Sequence, residues 1–480
     1  MRGMRWYHFG FAFFWALYST GPFGNAAVAQ AAAQMLGQSE PGSFFVCAEL
    51  SQASLIVSLI VFVILYRRRE KVGWRFGWVM GVAMCAGFTL RWVAPCAGAA
   101  ELPVAYAGAI VIGAASGIFM LAWQSFFANA GTERAVVCVP LSAVFSVLLS
   151  GVISIMPAIA GAVCLALLLP AAASVSLMLS LRDTKPYPAE PLTRSSFRSL
   201  VSDMALPVIC VCVVGFVWKV VGHLNGGTSP MEALAASAGM VVAALLVAGL
   251  ELFWKRGFDI MRLYQFVFPI ITGALMLAVF LGSEWMPFVS GCLMCGFEIL
   301  NLILIITCAA YAGERNLKPS QVYVPCVGLA LVALLVGDIA GSAAGPHALH
   351  DMTIMAGALF ACAYLLVLVM SLVAFALGKG SRVDSAGEGV PVAEGDADDS
   401  TDQAEDKRAV LESAIAALGP ADPVSQREID VLELYLQGCN VPTAAQKLFI
   451  SENTVRSHTK SLYRKFGVHS RQELIGLFSA

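Results

Sequence analysis

Charge is what this sequence has least of. Of 480 residues, 13% are Asp, Glu, Lys or Arg and 58% are hydrophobic, with a mean hydropathy of +0.76. A soluble chain is about a quarter charged. Half that density leaves too little polar surface for a chain of this length in water, which excludes an ordinary soluble enzyme and points to a membrane protein. Global disorder is excluded by the same hydrophobicity. Histidine is scarce too, with six copies. No His and Cys stand at metal-ligand spacing, no glycine-rich loop fits a phosphate, and no Ser, His and Asp share a catalytic context. Neither an enzyme nor a cofactor is expected. The cysteines form no disulfide framework: Cys85, Cys138, Cys164, Cys210, Cys326 and Cys362 lie inside apolar runs, where Cys acts as a small hydrophobe. Cys292 and Cys295 make a CxxC, but in a long apolar stretch with no further ligand nearby, so metal or redox use is not expected.

What charge there is divides the chain into three segments. Residues 1–380 carry 20 basic and 16 acidic side chains, residues 381–420 carry three and ten, and residues 421–480 carry seven and six. These read as a greasy body, an acidic linker and a small polar domain.

The body contains about twelve apolar runs long enough to span a bilayer as helices, near 6–27, 44–65, 73–93, 103–126, 136–156, 158–180, 205–223, 231–253, 263–282, 285–311, 321–342 and 352–377. The runs are continuous rather than alternating, so a β-barrel is excluded. With the N-terminus placed in the cytoplasm, 18 of the body's 20 basic residues fall on the inner side; Arg91 and Lys219 fall in or at the end of apolar runs. The outer loops carry Glu40, Glu101, Glu232, Glu284 and Asp351 and no base. The positive-inside bias therefore predicts a multi-pass protein of the cell membrane with both termini cytoplasmic. Arg2 and Arg5, an apolar run and the small residues of 26–33 also fit a cleaved signal peptide. The six-plus-six count favours a retained first helix.

The longest inner loop, 182–204, follows the sixth helix and holds Pro186, Pro188 and Pro191. Six helices, a central loop and six more resemble the major facilitator architecture. That family's loop pattern G-x-x-x-D-R-x-G-R-R is absent, and the corresponding stretch reads Tyr66-Arg-Arg-Arg-Glu-Lys-Val-Gly73. Charged side chains in such a body are costly and so are candidates for function. Glu298 is central in the tenth helix, with Asn301 three residues on and on the same face. Lys219 and Asp338 lie in the outer parts of the seventh and eleventh helices. These four are the candidate ligand-binding residues. Glu49 and Arg91 are expected to pair, and His8 lies near the inner end of the first helix.

Residues 380–406 are rich in Gly, Ser, Ala and acids and cannot bury a core, so 381–420 should be a flexible tether. Forty such residues span about 35 Å. Val410, Leu411, Ile415 and Leu418 suggest a short amphipathic helix within 405–418. Beyond it, four short helices are expected: 425–437 between Ser425 and Gly438, 442–449 opening on Pro442, a third from after Ser451 through Lys465, and a fourth from after Ser470 to about Phe478. The second and third form a helix-turn-helix. On the third, Val455, Leu462 and Phe466 give a buried face, and Arg456 and Lys460, four apart, share another.

Residues 424–478 resemble the LuxR-type DNA-binding domain. The resemblance rests on Arg427-Glu428, Val431-Leu432, Gly438, Leu448-Phe449-Ile450-Ser451, Thr454-Val455-Arg456-Ser457-His458, Lys460, Tyr463-Arg464-Lys465 and Gly467-Val468-His469-Ser470-Arg471-Gln472-Glu473-Leu474. It implies that Arg456, Ser457 and Lys460 face base edges, and that Thr454, His458, Arg464 and Lys465 approach phosphates. Glu428 would position the helices, and the fourth helix would form a homodimer on two-fold double-stranded DNA. At the second helix the family's acid and Ile are replaced by Thr443 and Ala444. No receiver-like domain precedes the reader.

The expected fold is therefore all-α: a polytopic membrane helix bundle of about twelve helices, followed by a cytoplasmic four-helix helix-turn-helix domain. The expected function is membrane-bound transcription regulation, with a small-molecule inducer sensed by the body in the lipid bilayer. A transporter that also regulates and a membrane-anchored DNA binder without sensing stay open as alternatives.

Overall fold

The computed structural model describes residues 4–20, 41–65, 74–184, 186–224, 230–253, 260–348, 350–386, 415, 424, 426–436, 439, 441, 443–444, 452–468 and 470–478. The body's helices are α1 (Phe11–Thr20), α2 (Pro41–Leu65), α3 (Trp74–Val93), α4 (Glu101–Ala130), α5 (Thr132–Ser154), α6 (158–183), α7 (Arg194–Leu224), α8 (Pro230–Phe253), α9 (Ile260–Leu281), α10 (Met286–Glu314), α11 (Pro319–Ala348) and α12 (Met352–Ala386). They follow the twelve apolar runs in order. Among the described residues nine helices are long and apolar enough to cross a membrane. Gly77–Val93 and Phe266–Leu281 are shorter apolar stretches, and α1 takes the first place.

Local chemistry sets where these helices start, bend and stop. α4 ends at Gly131, whose φ of +87 suits a residue without a Cβ. α6 contains a π turn at Cys164–Leu168, which ends two residues before Pro170. A proline donates no N–H and crowds the preceding turn, and a locally wider turn accommodates it. Asp351 precedes α12 and caps it: its Oδ1 accepts the Thr353 backbone N–H at 2.8 Å. That bond holds the carboxyl below its ordinary pKa. α12 then runs past the end of its apolar stretch to Ala386.

In the first half α2 and α3 pack on α4, and α1 packs on α5 and α6; in the second, α7 lies along α11 and α8 along α10. The halves meet where α2 touches α11, α4 touches α10, and α5 touches α8 and α10. Between helices without a water-driven hydrophobic force, small residues allow close backbone approach. A Cβ on Gly113 of α4 would run into the Ser51 carbonyl of α2. Alongside, the Ser51 hydroxyl donates to the Ala109 carbonyl at 2.9 Å. Trp123, Phe14, Phe119, Phe126 and Phe127 fill the interior of the first half, while Ile64, Phe280 and Phe375 point outwards, as suits a lipid-facing surface.

Chain contacts separate this body from a second compact unit that starts at Arg382. Its helices are α13 (Gln426–Leu436), α14 (Glu452–Phe466) and α15 (Arg471–Phe478), at the places read from Ser425, Ser451 and Ser470. The Ser470 hydroxyl accepts the Glu473 N–H at 3.2 Å and caps α15. Gly467, at φ +66, closes α14. Of the expected second helix, Thr443 and Ala444 are helical, as is Val441 just before it, and the remainder lies outside the described residues, as do the acidic linker from 387 and the 405–418 helix apart from buried Ile415. Val431, Leu432, Tyr435, Ala444, Val455, Leu462 and Leu474 form this unit's own core.

Candidate functional site

α14 is amphipathic by register. Val455, Thr459 and Leu462 are buried, whereas Lys460 and Arg464 are exposed on another side. Arg456, Lys460 and Arg464 recur every four residues and so fall along one stripe. Thr454, Arg456 and Ser457 lie on α14 with side chains outside the described residues; His458 is half-buried.

Two contacts fix this helix against α13, and a third ties α15 to α13. The Tyr435 and Thr459 hydroxyls are 2.8 Å apart, and Thr459 donates to the Val455 carbonyl at 2.8 Å. The Lys465 ammonium lies 2.7 Å from the Glu428 carboxylate, with the two side chains 10% and 5% exposed. From α15, Arg471 donates to the Cys439 carbonyl at 2.7 Å and stacks its guanidinium 4.8 Å above the Tyr435 ring. Lys465 thus differs from its expected place at the phosphates. It follows Arg464 by one residue, about 100° round the helix, which turns it onto α13. Glu428 has the positioning place expected of it. Thr459 and Tyr435 were not singled out in the sequence; the register of Thr459 with Val455 and Leu462 was the signal available.

In the body, the candidate ligand residues form two sets. In α10, Glu298 is 3% exposed, and its Oε2 accepts the Asn301 amide N–H at 3.2 Å. The other carboxylate oxygen has no hydrogen-bond partner among the described residues. Beside it, Phe297 stacks on Trp218 of α7, with centroids 5.1 Å apart. The second set joins α7 to α11: Asp338 takes Lys219 at 3.3 Å and His223 at 2.8 Å. Gly337 and Gly341 of α11 make this possible, because a Cβ on either would press on Phe216 or His223. Among the described residues no hydrogen bond or ion pair links the two sets. Glu49, expected to pair with Arg91, instead lies within electrostatic reach of Asp338, His223 and Lys219. His8 is fully buried, with its Nε2 3.3 Å from Asp183.

Other side chains bridge the halves. Gln52 of α2 donates to the Leu331 carbonyl of α11 at 3.2 Å, and Gln124 of α4 to the Ile305 carbonyl of α10 at 3.1 Å. Among the described residues of the body, Trp123 Nε1 is the one sealed side-chain nitrogen without a partner. No group of His, Cys, Asp and Glu among the described residues could hold a metal ion.

The body shares its fold with a solved Major Facilitator Superfamily transporter, FucP, in the outward conformation. The match has a TM-score of 0.50 at 13% identity and covers 77% of this chain and 97% of that one. The protein is thus a multi-pass helical membrane protein of major facilitator fold that carries a helix-turn-helix domain. Residues 422–478 match the family described as bacterial regulatory proteins, luxR family. The spore germination protein GerE of Bacillus subtilis is 38% identical over 52 residues, 11% of this chain and 70% of that protein. An HTH-type transcriptional regulator of Aeromonas salmonicida is 41% identical over 71 residues, 15% of this chain. A nitrate/nitrite response regulator protein homolog of Haemophilus influenzae is 42% identical over 59 residues, 12% of this chain. The chain spans 36% and 28% of the length of the latter two. Through its C-terminal domain, the chain belongs to the luxR family of bacterial regulatory proteins.

Proposed function

We propose that this protein is a membrane-bound transcription regulator whose C-terminal domain binds double-stranded DNA. The observation that carries the reading is the exposed Lys460 and Arg464 on a helix held from behind by the Glu428–Lys465 pair. A helix so fixed presents a rigid basic edge to a major groove. Arg456, Ser457 and Lys460 are the base-reading residues; Thr454, His458 and Arg464 contact phosphates; Lys465 holds the helix in place. The relatives' names, a transcriptional regulator and a response regulator homolog, support regulation of transcription. A homodimer on a two-fold site and cytoplasmic termini complete the reading. The distribution of basic residues along the sequence supports this topology.

The test is binding of the full chain, reconstituted in lipid nanodiscs, to genomic fragments. Lys460→Ala and Arg456→Ala should each cost on the order of 1–3 kcal/mol at the selected site. Equal loss on random DNA would refute base reading, and no selected site at all would refute regulation.

The body is the sensor of a small molecule in this reading. Glu298 supports it, because a buried carboxylate with one oxygen unengaged in the membrane must be protonated or meet a polar ligand or water. Asn301 orients it. Lys219 and Asp338, joined by His223, form a second polar station in the same six-helix half. Glu298→Gln should blunt the transcriptional response to the inducer while protein level and DNA affinity hold. A normal response would remove Glu298 from the site.

A further inference from the structure

The proline-rich connector between the halves does more than link them. Its backbone pairs with the turn between α10 and α11. Glu190 N–H donates to the Asn316 carbonyl at 2.7 Å, and Lys318 N–H returns to the Glu190 carbonyl at 3.2 Å. These two bonds make a parallel bridge between Glu190 and Leu317, the one β-type pairing among the described residues. The Tyr187 hydroxyl donates to the Leu317 carbonyl at 2.6 Å, and Leu192 N–H donates to the Gln321 side chain. Tyr187 N–H reaches the other way, to Asn129 Oδ1 at the end of α4, at 3.2 Å. One short segment thus holds a first-half helix end and a second-half turn.

Its sequence suits that task. Pro186, Pro188 and Pro191 have no N–H and fix φ, so the segment loses little freedom when it docks. Three of the four N–H groups left between Pro186 and Leu192 are engaged across a gap in the fold. The receiving turn is equally specific. Asn316 has a φ of +52, the only non-glycine with positive φ among the described residues, and this conformation turns its carbonyl to Glu190. Beneath the connector α4 and α10 approach closely: a Cβ on Gly313 would sit 3.2 Å from the Ala128 carbonyl.

We propose that residues 186–193 are a clasp. It fastens the two six-helix halves where α4 ends and α7 begins, and the body opens at that face only when the Glu190–Leu317 pairing releases.

The test introduces Ala128→Cys, a buried position at this face, into the full chain in nanodiscs. The labelling rate of that thiol is read by mass spectrometry of its own peptide. Glu190→Pro removes one N–H and keeps the extended backbone; Glu190→Ala removes only an exposed side chain. Glu190→Pro should speed labelling about fivefold, the effect of one backbone hydrogen bond of ordinary net strength. Glu190→Ala should leave the rate unchanged. No acceleration by Glu190→Pro, or equal acceleration by Glu190→Ala, overturns the clasp. Should Glu190→Pro fail to accumulate, amide hydrogen exchange on the unaltered chain decides. The Glu190 and Lys318 amides should exchange together and more slowly than that of Ala189, and exchange as fast as Ala189 overturns it. Neither measurement needs an inducer or DNA.

Discussion

Lys465→Ala separates two roles that a basic residue on a reader helix can have. In the structure its ammonium sits 2.7 Å from Glu428, and both side chains are almost fully enclosed. Removing one partner strands a buried carboxylate, which costs about 3–5 kcal/mol. A unit of about 60 residues has a total stability of roughly 3–9 kcal/mol. The substitution should therefore unfold the C-terminal unit or leave it barely folded. Hydrogen exchange of the full chain reads this directly: α13 and α14 amides should lose most of their protection while α7 and α11 keep theirs. The double variant Glu428→Leu/Lys465→Met fills the same space without charge and should restore protection, since apolar replacement of a buried pair is about neutral or better. A phosphate contact predicts a different pattern. Lys465→Ala would then leave exchange unchanged and lower the slope of DNA affinity against salt by about one. That pattern would refute the assignment of Lys465 to the domain's interior.

Three further outcomes are expected. Gly337→Ala forces a Cβ to within 2.7 Å of the Phe216 carbonyl, whereas Gly249→Ala meets nothing within 4 Å; the first should lower the thermal stability of the body by about 1–3 kcal/mol and the second should not, and equal effects would refute close α7–α11 packing. Arg464→Ala should weaken binding to selected and random DNA alike and reduce the salt slope by about one, and a loss confined to the selected site would make it a base reader. A reporter active only in the cytoplasm should work when fused within 182–204 and fail when fused near Pro346, and the reverse would place the DNA-binding domain outside the cell.

Much of this protein is written locally along the chain. Twelve apolar runs set α1 to α12 because hydropathy and the 1.5 Å rise per residue fix how much chain crosses a bilayer. Ser470 and Gly467 mark where α15 begins and α14 ends because capping needs only neighbours in sequence. Glu298 and Asn301 were legible as a pair because three residues is less than one helical turn. Partners remote in sequence were not legible. Glu428 and Lys465 are 37 residues apart, and Lys219 and Asp338 are 119 apart. The sequence offers both lysines as candidate contacts for an outside molecule; tertiary packing gives each a carboxylate of its own chain. Glu49 lies near the Asp338 cluster for the same reason: α2 packs on α11, and hydropathy carries no information on which helices are neighbours. The three prolines of the connector were legible as part of the longest inner loop, but its pairing with the turn at Asn316 depends on where the two halves bring their ends. Periodicity acts within one element, whereas the pairing of charges and backbone edges is fixed only when the packed helices leave each polar group a single nearby partner.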